Sequence, residues 1–366
     1  MKISCSREKL KERITQAERV TGKNIGLPIL GSILLRTEKN ILTVLATNLN
    51  VGVEFKVPAK IEKEGEVAVP ANIVTGIFSG LSSGQNVELE KVNENLVISN
   101  NKNTTLVKSF NSEDFPIIPR IKNGISFKVA IESIVLGAKS VWYASATSDI
   151  KPEISSVYMY CDNDSIVFVS TDSFRLAEKK IKNVGKVEFD GVILPIKNIH
   201  DIIKILETVT GECMVTFDKN QISFETEEMY LTSRVVNGNY PDYRQIIPKA
   251  FTSEITVVKE DILSALKLTN VFADKFNKIK IKADAERKTF EISSRNSDVG
   301  ENMTTIDATT KGDSFDVNFN YRYIQDGFQS IHSDSVVLKY DSKREVLIVA
   351  GTSDASFIYL VKPMNK

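Results

Sequence analysis

The chain has 366 residues, 42% hydrophobic and 26% charged, with 47 Lys and Arg side chains balanced by 47 Asp and Glu. That length calls for two or three cores rather than one. Zero net charge excludes a uniformly basic nucleic-acid binder, so any such role must come from local charge placement or from topology.

Other function classes are disfavoured. No apolar run approaches the roughly 18 residues a membrane span needs. The opening MKISCSREKLKERI lacks the apolar core of a signal peptide, so a cytoplasmic location is expected. Cys5, Cys161 and Cys213 are scattered and form neither a CxxC pair nor a metal-ligand spacing. Only His200 and His332 are available as neutral-pH bases, and no GxSxG, HExxH, Walker loop or GxGxxG occurs. These absences point away from an enzyme, with no catalytic residue, cofactor or metal expected.

In chain order, the first predicted element is a helix with Leu10, Ile14 and Ala17 on one face. Its segment, residues 1–23, carries Lys2, Arg7, Lys9, Lys11, Arg13, Arg19 and Lys23 against Glu8, Glu12 and Glu18. A second helix follows in VPANIVTGIFSGL, where Ile73, Ile77 and Leu81 lie at i, i+4 and i+8 behind Pro70. The polar turn Asn93-Glu94-Asn95 then precedes the period-two pair Leu96 and Ile98 of a strand. Asp114-Phe115-Pro116 closes this first third.

The same series then recurs twice at about 125 residues. The second pass has Ile134, Ala138 and Val141, then LPIKNIHDIIKIL with Ile199, Ile203 and Leu206 behind Pro195. The turn Asp218-Lys219-Asn220, the pair Ile222 and Phe224, and Tyr240-Pro241-Asp242 complete it. The third has Ile262, Leu266 and Thr269, then FNYRYIQDGFQSI with Ile324, Phe328 and Ile331. Asp341-Ser342-Lys343, Leu347 with Val349, and Pro363 follow. Five element types in step predict three similar α+β domains, 1–122, 123–250 and 251–366, each with antiparallel sheet and two helices. FPIIPRIKNG and YPDYRQIIPKA read as short apolar linkers that fix the domain arrangement.

The chain resembles the bacterial DNA polymerase III beta subunit, the sliding clamp, over essentially its whole length. The marks are LPILGSILL at 27–35, EDFPIIP at 113–119, STDSFRLA at 170–177, SRVVNGNYPDYRQIIP at 233–248 and YLVKPMNK at 359–366. The resemblance implies a DNA clamp fold whose two copies close head to tail as a dimeric ring, with helices lining the hole. It implies a non-catalytic processivity factor that encircles double-stranded DNA topologically and without regard to sequence. A clamp loader opens the ring, and DNA polymerase III and other DNA-processing proteins dock short peptides between the second and third domains.

Carried over residue by residue, the implied peptide pocket comprises Ile154, Thr171, Phe174, Arg175, Leu176, Pro241, Gln245, Ile246, Val346, Leu360, Val361, Pro363 and Met364. Apolar side chains and an adaptable methionine suit an extended peptide with apolar anchors. Departures are concentrated here. Ser173-Phe174 stands where the family often has Gly-His, Gln245 where it often has arginine, Arg344 where the position is often apolar, and the ending is Lys362-Pro363-Met364-Asn365-Lys366. The implied DNA-facing set is Lys9, Lys11, Arg19, Lys23, Asn24, Lys139, Lys197, Lys204, Lys259, Lys267 and Arg322, point charges that attract phosphate without reading bases. The implied dimer interface sets Thr105 and Val107 of one chain against Phe272 and Ala273 of the other. A repeat-built interaction scaffold without DNA, and an enzyme using carboxylates, are the competing readings.

Overall fold

The computed structural model describes residues 1–22, 26–82, 84, 86–182 and 188–364. They form two compact units. One comprises residues 1–132 and 200–235, the other 133–199 and 236–366. Among the described residues, the first unit is built on a twelve-stranded sheet and the second on a nine-stranded and a four-stranded sheet. Every strand pairing is antiparallel.

Six α-helices occur among the described residues: α1 (Arg7–Glu18), α2 (Ala71–Gly80), α3 (Ile131–Val141), α4 (Ile196–Leu206), α5 (Lys259–Asn270) and α6 (Tyr321–Gly327). Local chemistry explains their starts. Ser6 accepts the Lys9 N–H at the head of α1, where Glu8 also meets the positive end of the helix dipole. Asn320 accepts the N–H groups of Arg322 and Tyr323 at the head of α6. The hairpin turn at Asn93 and Glu94 has φ of 47° and 63°, the left-handed pair that a two-residue turn needs to match strand twist.

The repeated apolar faces are core faces in five of the six predicted segments, although α6 ends at Gly327 and Phe328–Ser330 continue it as a tighter 3-10 turn. Leu10, Ile14 and Ala17 are buried, as are Ile134, Ala138 and Val141; Ile199, Ile203 and Leu206; Ile262, Leu266 and Thr269; and Ile324, Phe328 and Ile331. The exception is α2, whose buried residues are Ala71, Val74 and Phe78 while Ile73 is 49% exposed. ANIVTGIFSG is apolar on nearly every side, so spacing alone offers two stripes and the larger Phe78 takes the core. The pairs Leu96 and Ile98, Ile222 and Phe224, and Leu347 and Val349 are all buried.

Each sheet continues across a repeat boundary. In the first unit, Val51–Phe55 of the strand Val51–Lys63 pairs with Met229–Ser233 of the strand Met229–Arg234. In the second unit, Arg175–Lys179 of the strand Arg175–Ile181 pairs with Phe357–Val361. The joining strands occupy matching places in their repeats. Among the strands at sheet ends are Thr104–Val107 in the first unit and Gly300–Ile306 in the second.

Candidate peptide-docking site

Thr171 to Arg175 form a turn fixed by its own side chains. Thr171 Oγ1 donates to the Arg175 carbonyl at 2.6 Å and accepts the Ser173 N–H at 3.1 Å. Asp172 Oδ1 accepts the N–H groups of Phe174 and Arg175, each at 2.9 Å. Ser173 takes φ of 79°, in the left-handed region that favours glycine. The side-chain bonds on either side of it hold a serine there.

That turn has a twin in the first unit. Thr47 Oγ1 donates to the Val51 carbonyl at 2.9 Å and accepts the Leu49 N–H at 3.0 Å, while Asn48 Oδ1 accepts from Asn50 and Val51. Leu49 has φ of 73°. Each turn is bonded from the end of the joining strand: the N–H of Arg234, its last residue, donates to the Asn50 carbonyl, and the N–H of Lys362, one residue past its end, donates to the Phe174 carbonyl, both at 2.8 Å.

Arg175 is the electrostatic centre of the candidate site. Its Nε donates to Asp172 Oδ2 at 2.9 Å and its Nη1 to Asp326 Oδ2 at 2.5 Å, and its guanidinium lies 4.5 Å from the Tyr323 ring centroid. A half-buried cation with two carboxylate partners and an aromatic face is well compensated. Helix α6, which supplies Asp326 and Tyr323, sits close on the strand Phe357–Val361: a Cβ on Gly327 would lie 2.3 Å from Tyr359 Cδ1. Tyr359 is fully buried and donates to the Tyr323 carbonyl at 2.8 Å.

The turn Tyr243–Ile246 supplies Gln245 and Ile246. Buried Tyr243 donates to Glu178 Oε2 at 2.5 Å, so Tyr160, 2.7 Å away, donates to Tyr243 and in turn accepts from Arg244 Nη2 at 2.8 Å. Burial, then the Glu178 charge, pushes the Tyr243 phenol far above its ordinary pKa, so it stays a donor. Arg344 Nη1 donates to the Gln245 carbonyl at 2.6 Å, and Gln245 Nε2 donates to Asp242 Oδ2 at 2.6 Å. The final segment is also tied down, with the Met364 N–H on the Asn318 carbonyl at 2.8 Å.

The thirteen sequence-predicted pocket residues all fall in the second unit. Thr171, Leu176, Val346, Leu360 and Val361 are buried, and Ile154, Arg175, Pro363 and Met364 are half-buried. Pro241, Gln245 and Ile246 are exposed, and Phe174 is 59% exposed. Sequence reasoning missed Asp326 and Tyr323, because a tertiary partner three residues along a helix leaves no local signal. Two concavities lie elsewhere in this unit. One of about 640 Å³ is lined by Lys278, Lys280, Arg295 and Met303, and one of about 490 Å³ by Phe251, Glu254, Lys339 and Phe357. Neither contains a predicted pocket residue.

Among the predicted basic residues, Lys9, Arg19, Lys139, Lys204, Lys267 and Arg322 are exposed and Lys11 is half-buried. Lys197 is exposed but ion-paired with Asp149, and Lys259 donates to the Ile331 carbonyl. Arg7 of the basic segment is buried, donating to the Phe78 carbonyl at 2.6 Å and the Leu81 carbonyl at 2.5 Å at the end of α2. Arg13 pairs with Glu228 at 2.7 Å. Lys23 and Asn24 lie outside the described residues. Of the predicted interface residues, Thr105, Phe272 and Ala273 are half-buried and Val107 is in the core. The exposed apolar side chain on that edge strand is Leu106, at 55%. Met303, on the other sheet-end strand, is 67% exposed.

Comparison with known proteins covers the same span. Residues 1–119, 124–242 and 244–365 match the N-terminal, central and C-terminal domains of the DNA polymerase III beta subunit. The beta sliding clamp of Synechococcus elongatus is 24% identical over 100% of this chain and 99% of its own, and that of Proteus mirabilis is 24% identical over 100% of both. The DNA polymerase III beta subunit of Thermotoga maritima superposes with a TM-score of 0.93 at 23% identity, over 100% of this chain and 99% of that one. The sliding clamp of Bartonella birtlesii, solved bound to griselimycin, has a TM-score of 0.94 at 22% identity over 100% of both chains. The threefold series of elements, the antiparallel sheets and matches to all three family domains agree: this chain belongs to the DNA polymerase III beta subunit family, the bacterial sliding clamps.

Proposed function

We propose that two copies of this chain close head to tail into a ring that encircles duplex DNA and tethers polymerase through the site around Arg175. The chain is a processivity factor and does no chemistry itself. The observation that carries the ring is the repeated joint. Strand Val51–Lys63 receives Met229–Arg234, and strand Arg175–Ile181 receives Phe357–Val361. Strand Gly300–Ile306 is the third member of the first series and Thr104–Val107 of the second, and each stands at a sheet end. A second copy offers each edge its missing partner, which is the arrangement a closed head-to-tail ring requires. The turn before Gly300 differs in length, with Asn296 opposite Gly300 against Thr47 opposite Gly52 and Thr171 opposite Leu176. The order of strands therefore carries over, while the residue register does not.

Three domains per chain, 1–122, 123–250 and 251–366, make six pseudo-equivalent modules in such a ring. Lys9, Lys11, Arg19, Lys139, Lys204, Lys267 and Arg322 would supply a diffuse positive lining for the DNA backbone. A clamp loader opens the ring, and the work is cytoplasmic. Among the described residues, no helix is long and apolar enough to cross a membrane.

The test of the ring is mass in solution. Sedimentation at micromolar concentration should give twice the chain mass, and Leu106→Asp or Met303→Asp should give the monomer by placing an unpaired charge in the joint. A wild-type monomer would overturn the ring.

A further inference from the structure

We infer that the joint between the first two repeats is a salt-sensitive hinge latched by Arg120, whereas the joint between the second and third repeats is held by buried bonds that salt does not loosen. Both joints lie within one chain, so the inference stands apart from ring closure and from peptide docking.

Arg120 sits in the first linker and spans the joint. Its Nη2 binds Glu54 on the joining strand of the first repeat, and its Nη1 lies 3.2 Å from Glu225 Oε1 on a strand of the second. Its guanidinium lies 3.8 Å from the centroid of the Tyr230 ring, and Tyr230 stands opposite Glu54 in the joining ladder. The Tyr230 hydroxyl donates to the Pro119 carbonyl at 2.9 Å, which fixes the linker just before Arg120. A second arginine crosses the same joint from helix α1: Arg13 pairs with Glu228 at 2.7 Å. Each of these pairs has a partner open to water. The side chains of Arg120 and Glu225 are 45% and 49% exposed, and that of Glu228 is 61% exposed. Such pairs are weak one at a time and are screened by salt.

The second joint has the same plan with different chemistry. Glu178 follows Thr171 along the chain as Glu54 follows Thr47. Its partner from the linker is the buried Tyr243 phenol, not an exposed arginine. Two cations also cross this joint, Lys179 to Asp354 at 2.9 Å and Arg175 to Asp326, and their side chains are only 7% and 10% exposed. In the place of Arg13, helix α3 has Gly137, packed against the Phe168 ring. Buried bonds of this kind are screened much less. Bending of the chain therefore concentrates at the first joint and grows with ionic strength.

Matched backbone bonds report on each joint. At the first, the Lys56 N–H donates to the Glu228 carbonyl and the Arg234 N–H to the Asn50 carbonyl. At the second, the Lys180 N–H donates to the Ser356 carbonyl and the Lys362 N–H to the Phe174 carbonyl, all at 2.8 Å. The experiment is hydrogen exchange of these amides at single-residue resolution, in about 0.05 M and about 1 M NaCl. Raising the salt should speed Lys56 and Arg234 by about three- to tenfold relative to Lys180 and Lys362. Arg120→Met, and the milder Glu225→Gln, should bring the faster rate at the first joint already at low salt and leave the second joint unchanged. The same contrast should appear in Leu106→Asp chains, because the latch needs no second copy. An equal salt response at the two joints, or exchange at Lys56 and Arg234 that ignores the loss of Arg120, overturns the inference.

Discussion

The N–H of Lys362 donates to the Phe174 carbonyl at 2.8 Å, sealing the end of the strand pair that joins the second and third repeats. Arg234 does the same to Asn50 at the preceding joint. The two turns share side-chain bonds residue for residue, although one reads Thr47-Asn48-Leu49-Asn50 and the other Thr171-Asp172-Ser173-Phe174. Geometry is thus held by the Thr and Asx positions, while Asn50 and Phe174 are free to differ. The outer residue of one joint is polar, and that of the other is the exposed ring of the candidate docking site.

The third joint should show itself in hydrogen exchange. Within one chain, Thr104–Val107 and Gly300–Ile306 each lack a neighbour on one side. In the closed ring, outward N–H groups on both strands should exchange slowly, and Leu106→Asp should restore fast exchange on both at once. Fast exchange in the wild type would show that these edges are unpaired.

Gly327 is a packing requirement rather than a hinge. Its Cα faces the Tyr359 ring so closely that a methyl group would sit at 2.3 Å. Gly327→Ala should destabilise the second unit by about 1–3 kcal/mol, as overpacking does. The same displacement of α6 should draw Asp326 off Arg175 and weaken peptide binding. Chemical denaturation with calorimetry checks both effects, and an unchanged midpoint would contradict the close packing.

The cysteines should separate by burial. Desolvation lifts the thiols of Cys5 and Cys213 to about 12 each, from 9.0. Cys161 is only half-buried. At pH 8 a maleimide should label Cys161 in the folded protein, and the other two only after unfolding, because the thiolate is the nucleophile. These raised pKa values mean that the folded state holds its protons more tightly. Their contribution to stability is therefore constant below about pH 9 and falls as pH climbs from there towards 12. Uniform labelling of all three at pH 8 would contradict the assignment.

Much of this was legible in the sequence because the chain states its pattern three times. Leu96 and Ile98, Ile222 and Phe224, and Leu347 and Val349 are all core pairs, as their alternation required. Where one element carries two apolar stripes, periodicity could not decide, and Ile73 lost to Phe78 in α2. On the edge strand Thr104–Val107, the resemblance named Thr105 and Val107 without saying which face is covered. Val107 is in the core, and Leu106 is exposed. Charge counts misled for a related reason. Arg7 is a buried cap on the carbonyls that end α2, so the excess of basic residues at the start overstates what reaches solvent. Tertiary partners such as Asp326 for Arg175 are set by packing between elements more than 150 residues apart, beyond any local pattern.

On the proposed reading, the protein holds DNA by encircling it. The chain carries 47 basic and 47 acidic side chains, and several of its basic groups are committed inside the fold. Direct phosphate contacts would therefore be few, and a conventional complex made of several would fall steeply with salt. A ring needs none of them, because it leaves only by opening or by sliding off an end. The measurement is retention after loading on nicked circular DNA, washed at salt that strips ordinary nonspecific binders. The protein is expected to stay on the circle and to be released by a single double-strand cut at unchanged salt. Equal retention on linear and circular DNA would rule encirclement out, and so would loss from both at modest salt.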